Sequence, residues 1–214
     1  MQNEGPTYEE LARPLTVLFD QLGPKTQLFV IRCMRLLSEG HPVSPERIAA
    51  ALGITRDEVK TILGQLGSGV EVNEEGEVVA VMGLSLNPTV HRLLVAGKEL
   101  FSWCASDAIS LAAIVQKPVR VESPDPVSGA TIRLEVSPKG VVKIDPGSAV
   151  VSWVIGVDTT DIRASFCNSV NFFASPETAG EWSSNRPGLR ILTVREVEEV
   201  DRVLVEPFRD MIEG

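Results

Sequence analysis

Three cysteines and one aspartate carry most of the chemistry this sequence can offer. Cys33, Cys104 and Cys167 are its only thiols. An odd number at wide spacing does not describe a disulfide framework. Each is therefore a buried small hydrophobe, a soft-metal ligand or a nucleophile. Cys33 falls on an apolar helical stripe with Phe29, Leu36 and Leu37, the setting of a core residue. Cys104 stands in Trp103-Cys104-Ala105-Ser106-Asp107. If Cys104 opens a helix, Asp107 lies one turn on and shares its face. A helix N-terminus favours negative charge, so it would lower the thiol pKa and hold a thiolate. Asp107 would carry a proton beside it if burial and that thiolate raise its own pKa. The same pair also arises by chance, and Cys104 is then simply core. Cys167 stands in Arg163-Ala164-Ser165-Phe166-Cys167-Asn168. No spacing rule ties it to Cys104: the two meet in the fold or are unrelated buried thiols. His41 and His91 have no partner at ligand spacing and make no zinc site. No phosphate loop, nucleophile elbow or dinucleotide fingerprint is present.

The 214 residues suffice for one sizeable domain or two small ones with a real core. Hydrophobic residues make up 43% and charged residues 23%, as in ordinary globular proteins. The formal net charge of -9 argues against nucleic acid as the main partner, since phosphate binding needs a basic face. The start, MQNEGPTYEELARP, lacks the basic and apolar regions of a secretory signal. No apolar run approaches the roughly 20 residues that span a bilayer. The expectation is a cytoplasmic protein without a membrane partner.

The elements that must position the thiols read as α+β. Thr26 to Glu39 is a helix, stopped by Gly40. Ser44-Pro45 caps a second helix, and Thr55 with Glu58 forms a capping box for a third, through Leu66. GVEVNEEGEVVAVMGLSL then reads as a hairpin. Three helices and a hairpin resemble a winged helix-turn-helix, with Thr55 to Leu66 as recognition helix. Its wing carries Glu74, Glu75 and Glu77, which would repel phosphate, so a structural or substrate-covering role is preferred and DNA binding is not expected. After roughly residue 84 the texture becomes β-rich. SDAISLAAIVQ is a short helix, and strands dominate from Val119 to Val157. Thr160 to Phe166 is a helical turn and SVNFFAS a further strand. Pro176 to Ser184 and Val194 to Ile212 are closing helices. The expected organisation is a winged-helix-like domain, 1–83, then a catalytic domain, 84–214, with a mixed, mostly antiparallel β region and peripheral helices.

ELFSWCASDAISL resembles the segment of the alkylmercury (organomercurial) lyases in which a Trp-Cys pair precedes the catalytic acid. DIRASFCNSVNFFAS resembles the segment that carries their second cysteine. SGATIRLEVSP, VKIDP, PETAGEW and HPVSPERIAAALG extend the likeness from about residue 25 to about 200. Phe101 departs from the pattern, standing where a Tyr is usual. So does Asn168, where some members have a cysteine, and VESPDP lacks another. The resemblance implies protonolysis of a carbon–mercury bond to a hydrocarbon and Hg(II). Soft mercury prefers thiolates. Two thiolates donating into it make the carbon more carbanion-like, and a carboxylic acid within reach delivers the proton. By this carry-over Cys104, Cys167 and Asp107 are catalytic and hold the mercury, and Trp103 and Phe166 shape the pocket or pack the core. No separate cofactor is implied, because mercury enters with the substrate. Cellular thiols or a mercuric reductase are the implied acceptors of Hg(II). Two alternatives remain at this stage: a metal-responsive winged-helix regulator, and a divergent homologue that binds soft metal without turnover.

Overall fold

The computed structural model describes residues 5–158 and 161–213. Helix α1 spans Tyr8–Leu37 and contains a break at Gly23 (φ 72°), just before Pro24. Its first arm corrects the sequence reading, which began the helix at Thr26. The signal lay in Thr7 and Glu10, whose side chains form a capping box, and in the stripe Leu11, Leu15, Leu18 and Leu22. Helices α2 (Pro45–Leu52) and α3 (Arg56–Leu66) follow, capped by Ser44 and Thr55 as expected.

The hairpin strands are β1 (Val70–Val72) and β2 (Val78–Val81). Next come β3 (Leu84–Ser85), β4 (His91–Val95), β5 (Lys98–Ser102), helix α4 (Ala105–Val115), β6 (Val119–Pro124), β7 (Thr131–Ser137) and β8 (Gly140–Asp145). These strands make one eight-stranded sheet in the order β1-β2-β3-β5-β4-β6-β7-β8. Every pairing among the described residues is antiparallel. The chain continues through β9 (Val150–Val154), α5 (Ile162–Ser165), β10 (Phe172–Phe173), α6 (Pro176–Ser183), β11 (Leu189–Thr193), α7 (Val194–Val205) and α8 (Arg209–Glu213). A second sheet has the order β10-β9-β11. Thr160, the expected start of the helical turn, lies outside the described residues; the turn itself is α5. Pro207 interrupts the single closing helix expected to Ile212, having no N–H to continue the ladder.

Burial alternates along β4, β6 and β7, so one face of the sheet is apolar. Helix α4 lies against that face, with α1 and α7 packed on its other side. Its sequence, ASDAISLAAIV, is apolar on nearly all sides, as an interior helix requires. α4 is thus central, not one of the peripheral helices the sequence suggested. The sheet crosses the 83/84 position at a tight turn, Met82-Gly83, where β2 pairs with β3. One hydrophobic core also joins α1–α3 to α4 and the strands.

Candidate active site

Cys104 is the N-cap of α4. Its Sγ accepts a hydrogen bond from the Asp107 backbone N–H at 3.4 Å. The Asp107 carboxylate accepts one from the Cys104 N–H at 3.1 Å. This is a capping box with a thiol in place of the usual hydroxyl. The helix must start here because β5 ends at Ser102, whose hydroxyl donates to the Cys104 carbonyl at 3.0 Å. The Trp103 N–H donates to the Gly83 carbonyl at 2.9 Å, which brings the Met82-Gly83 turn against the helix start. A Cβ on Gly83 would overlap the Asp107 carboxyl group, and the φ of +97° is itself poorly suited to other residues.

Cys167 follows α5 and opens a single helical turn, Cys167–Ser169. The Ala105 N–H donates to the Val170 carbonyl at 3.0 Å, so one backbone bond ties this turn to the start of α4. Ser152 of β9 holds the turn from the other side. Its hydroxyl donates to the Ser169 carbonyl at 2.7 Å and accepts from the Asn171 N–H at 3.0 Å. Arg163 of α5 pairs with Glu71 of β1 and places its guanidinium 4.7 Å from the Trp103 ring centre. These contacts bring together what the sequence left apart: ligand atoms of Cys104, Asp107 and Cys167 all lie within 4.8 Å of one another.

A cavity of about 120 Å³ opens beside this group. Trp103, Asp107, Phe166 and Cys167 line it, whereas Cys104 is fully buried behind them. Phe166 also packs edge-on to Trp153, at 4.9 Å between ring centres. Pocket-shaping and core packing are therefore not exclusive for Phe166.

Comparison with known proteins bears directly on this arrangement. The family model described as MerB, alkylmercury lyase, matches residues 84–206. An alkylmercury lyase of Staphylococcus epidermidis is 39% identical over 91% of this chain and 90% of its own length. One of Streptomyces lividans is 36% identical over 92% of each chain. A Bacillus cereus alkylmercury lyase is 40% identical, covering 80% of this chain and 78% of its own. The chain belongs to the alkylmercury lyase family. A solved structure, the mercury-bound form of MerB2, shares the fold of this family member. Its TM-score is 0.75 at 22% identity, over 92% of this chain and 98% of that one.

The electrostatics of this family member differ from the sequence expectation at Cys104. Burial pushes its thiol pKa up, and the hydrogen bond with Cys167 and the Asp107 charge push the same way. The hydrogen bond from the helix's first turn opposes them and is the smaller effect. Cys104 is therefore held as a thiol, not the thiolate that its helix position suggested. Burial also raises the Asp107 carboxyl to about 6, against the smaller lowering effect of its two hydrogen bonds with Cys104. Asp107 thus sits near the point where it exchanges a proton at neutral pH.

Several contributors escaped the sequence reading. Gly83 makes room for Asp107, but one glycine among 17 carries no local signal of that role. The first arm of α1 lines the cavity through Leu15, Leu18 and Phe19. Asp201 is buried on α7 and accepts a hydrogen bond from Ser106 at 2.6 Å, while its other oxygen has no partner. Burial holds its carboxyl well above the usual range. An acid four residues after Val197, on the apolar stripe of α7, was the available signal.

Proposed function

We propose that this chain cleaves carbon–mercury bonds by protonolysis, with Cys104 and Cys167 as mercury ligands and Asp107 as the proton carrier. The observation that carries the reading is the convergence of these three groups within 4.8 Å beside an apolar cavity. An organomercurial R–Hg–X meets two thiols. Each thiol gives its sulfur to mercury and its proton elsewhere. One proton leaves with X as HX. The other passes through Asp107 to the carbon and releases R–H. Mercury remains as Hg(II) on both sulfurs, with the Asp107 carboxylate beside it. Atoms and charge balance without a redox partner or a separate cofactor, because the metal is part of the substrate. At neutral pH the proton starts on a thiol and Asp107 starts mostly ionised, since its carboxyl sits at about 6. The acid thus takes the proton that mercury displaces. Trp103 and Phe166 exclude water from the reacting carbon.

In this reading residues 84–214 form the catalytic domain and residues 1–83 a winged-helix-like module that covers the site. Two of the cations around its third helix are engaged: Arg56 pairs with Glu46 at 2.8 Å, and Lys25 with Glu58 at 2.6 Å. With the acidic wing, that disfavours DNA and hence the regulator reading. No helix among the described residues is long and apolar enough to cross a membrane. We place the reaction in the cytoplasm, with cellular thiols or a mercuric reductase taking the Hg(II).

The experiment is headspace detection of benzene from a phenylmercury salt. Catalytic benzene release supports the lyase. Tight mercury binding without benzene would leave the sequestering homologue, and salt-sensitive DNA binding the regulator.

A further inference from the structure

The cavity continues well past the reacting groups. It runs between the two arms of α1 and the end of the chain, where Leu18, Phe19, Met34, Leu204 and Phe208 form its wall. Phe19 and Phe208 meet at 5.6 Å between ring centres. Phe208 and Ile212 belong, with Ile31, to a small apolar cluster separate from the main core. Gln27, the amide on this wall, already donates to the Phe19 carbonyl at 2.9 Å. The surface beyond Asp107 and Cys167 is therefore largely hydrocarbon, and the cavity as a whole, the part beside the reacting groups included, has a volume of about 120 Å³. An apolar cavity of about 150 Å³ accommodates benzene, whereas one water takes up only about 30 Å³. A methyl group, of the order of one water in size, would leave most of this space empty.

From this we infer that the chain is a lyase selective for organomercurials whose organic group is about the size of a phenyl ring, with Leu204 and Phe208 setting the size limit. The inference rests on the proposed carbon–mercury lyase reading and adds a substrate class to it. Mercury at the two sulfurs directs the organic group past Asp107 into the cavity. A larger apolar group gains burial there that methyl does not. Because Phe208 lies in the small outer cluster, the wall can be altered without opening the main core.

The test measures kcat/KM for methyl-, phenyl- and naphthylmercury salts in the wild type, Leu204→Phe and Phe208→Ala. The intrinsic reactivity of each carbon–mercury bond cancels when substrate ratios are compared between variants. Leu204→Phe should lower the phenyl-to-methyl ratio about tenfold or more, and Phe208→Ala should raise the naphthyl-to-phenyl ratio by a similar factor. Melting curves establish that each variant folds, and the two act in opposite directions, so either alone keeps the test alive. Ratios unchanged within about twofold in the folded variants would overturn the size limit while leaving the lyase intact. A wild type that cleaves none of the three salts would remove the lyase reading and this inference together. A turnover-free arm separates the two: Cys167 labelling by benzyl and methyl thiosulfonates. It should favour benzyl in the wild type and lose that preference in Leu204→Phe. Equal preference in both proteins would contradict the assigned cavity even if cleavage occurs.

Discussion

The two cysteine-bearing segments reach the same site by different means. Cys104 is part of regular structure: it caps α4 at the end of β5, deep in the core, and its partner Asp107 is fixed by the helical repeat. Cys167 sits on one short turn, held by a backbone bond to Ala105, by Ser152 and by the Arg163–Glu71 pair. The first thiol is fully buried, and the second faces the cavity. A rigid sulfur paired with a more accessible one suits stepwise capture. On the proposed mechanism, mercury would meet Cys167 first, and closing onto Cys104 would then free the proton that Asp107 carries.

The sharpest way to break this comparison is to remove each side of it. Cys104→Ser and Cys167→Ser should each reduce protonolysis of phenylmercury to background, because neither sulfur alone activates the bond. Asp107→Asn should lower kcat by about 10²–10⁴-fold, the usual contribution of a positioned proton carrier. Full activity in any one of them removes that residue from the mechanism.

Gly83→Ala probes the rigid side alone. It displaces Asp107 without touching either sulfur, so kcat should fall about a hundredfold while stoichiometric Hg(II) binding persists. The positive φ adds a stability loss of roughly 1 kcal/mol or more, visible in a melt.

Asp107→Asn also has a stability signature. The carboxyl sits at about 6 in the fold, against about 3.9 in an unfolded chain. A raised carboxyl binds its proton more tightly when folded, so its favourable contribution is complete below about 4 and lost as pH rises through about 6. The difference in Tm, Asn variant minus wild type, should therefore grow between pH 4 and 7. A flat difference would mean that burial does not govern Asp107.

Thiol accessibility separates the segments more gently. A small apolar alkylating reagent should modify Cys167 before Cys104. Cys33, fully buried like Cys104 and with a thiol that burial pushes up to about 12, should likewise react after Cys167. The smallest effect belongs to Glu71→Gln. Releasing Arg163 from a partly exposed ion pair should cost below about 1 kcal/mol and raise KM more than it lowers kcat.

The same contrast explains what the sequence made legible. Cys104 and Asp107 were readable as a local pair because a helix start fixes their spacing. Their protonation was not, since it depends on burial by distant strands and by Cys167. Cys167 could be joined to them only by family resemblance, because its position follows from backbone bonds between segments far apart in the chain. The hairpin, the caps of α2 and α3 and the α4 helix followed from turn chemistry and periodicity. The first arm of α1 was passed over because its charged start resembled a polar tail, and with it went Leu15, Leu18 and Phe19 of the cavity wall. The central place of α4 was foreshadowed by its apolar composition.

The central claim is that both sulfurs and Asp107 act on one mercury atom. Its most direct test is a single turnover of phenylmercury by excess protein in D₂O, with benzene and free thiols counted together. The account predicts one monodeuterated benzene per mercury, with two of the three thiols, Cys104 and Cys167, no longer titratable on each mercury-loaded chain. Benzene released with only one thiol consumed, or at an undiminished rate in Cys167→Ser, would contradict it.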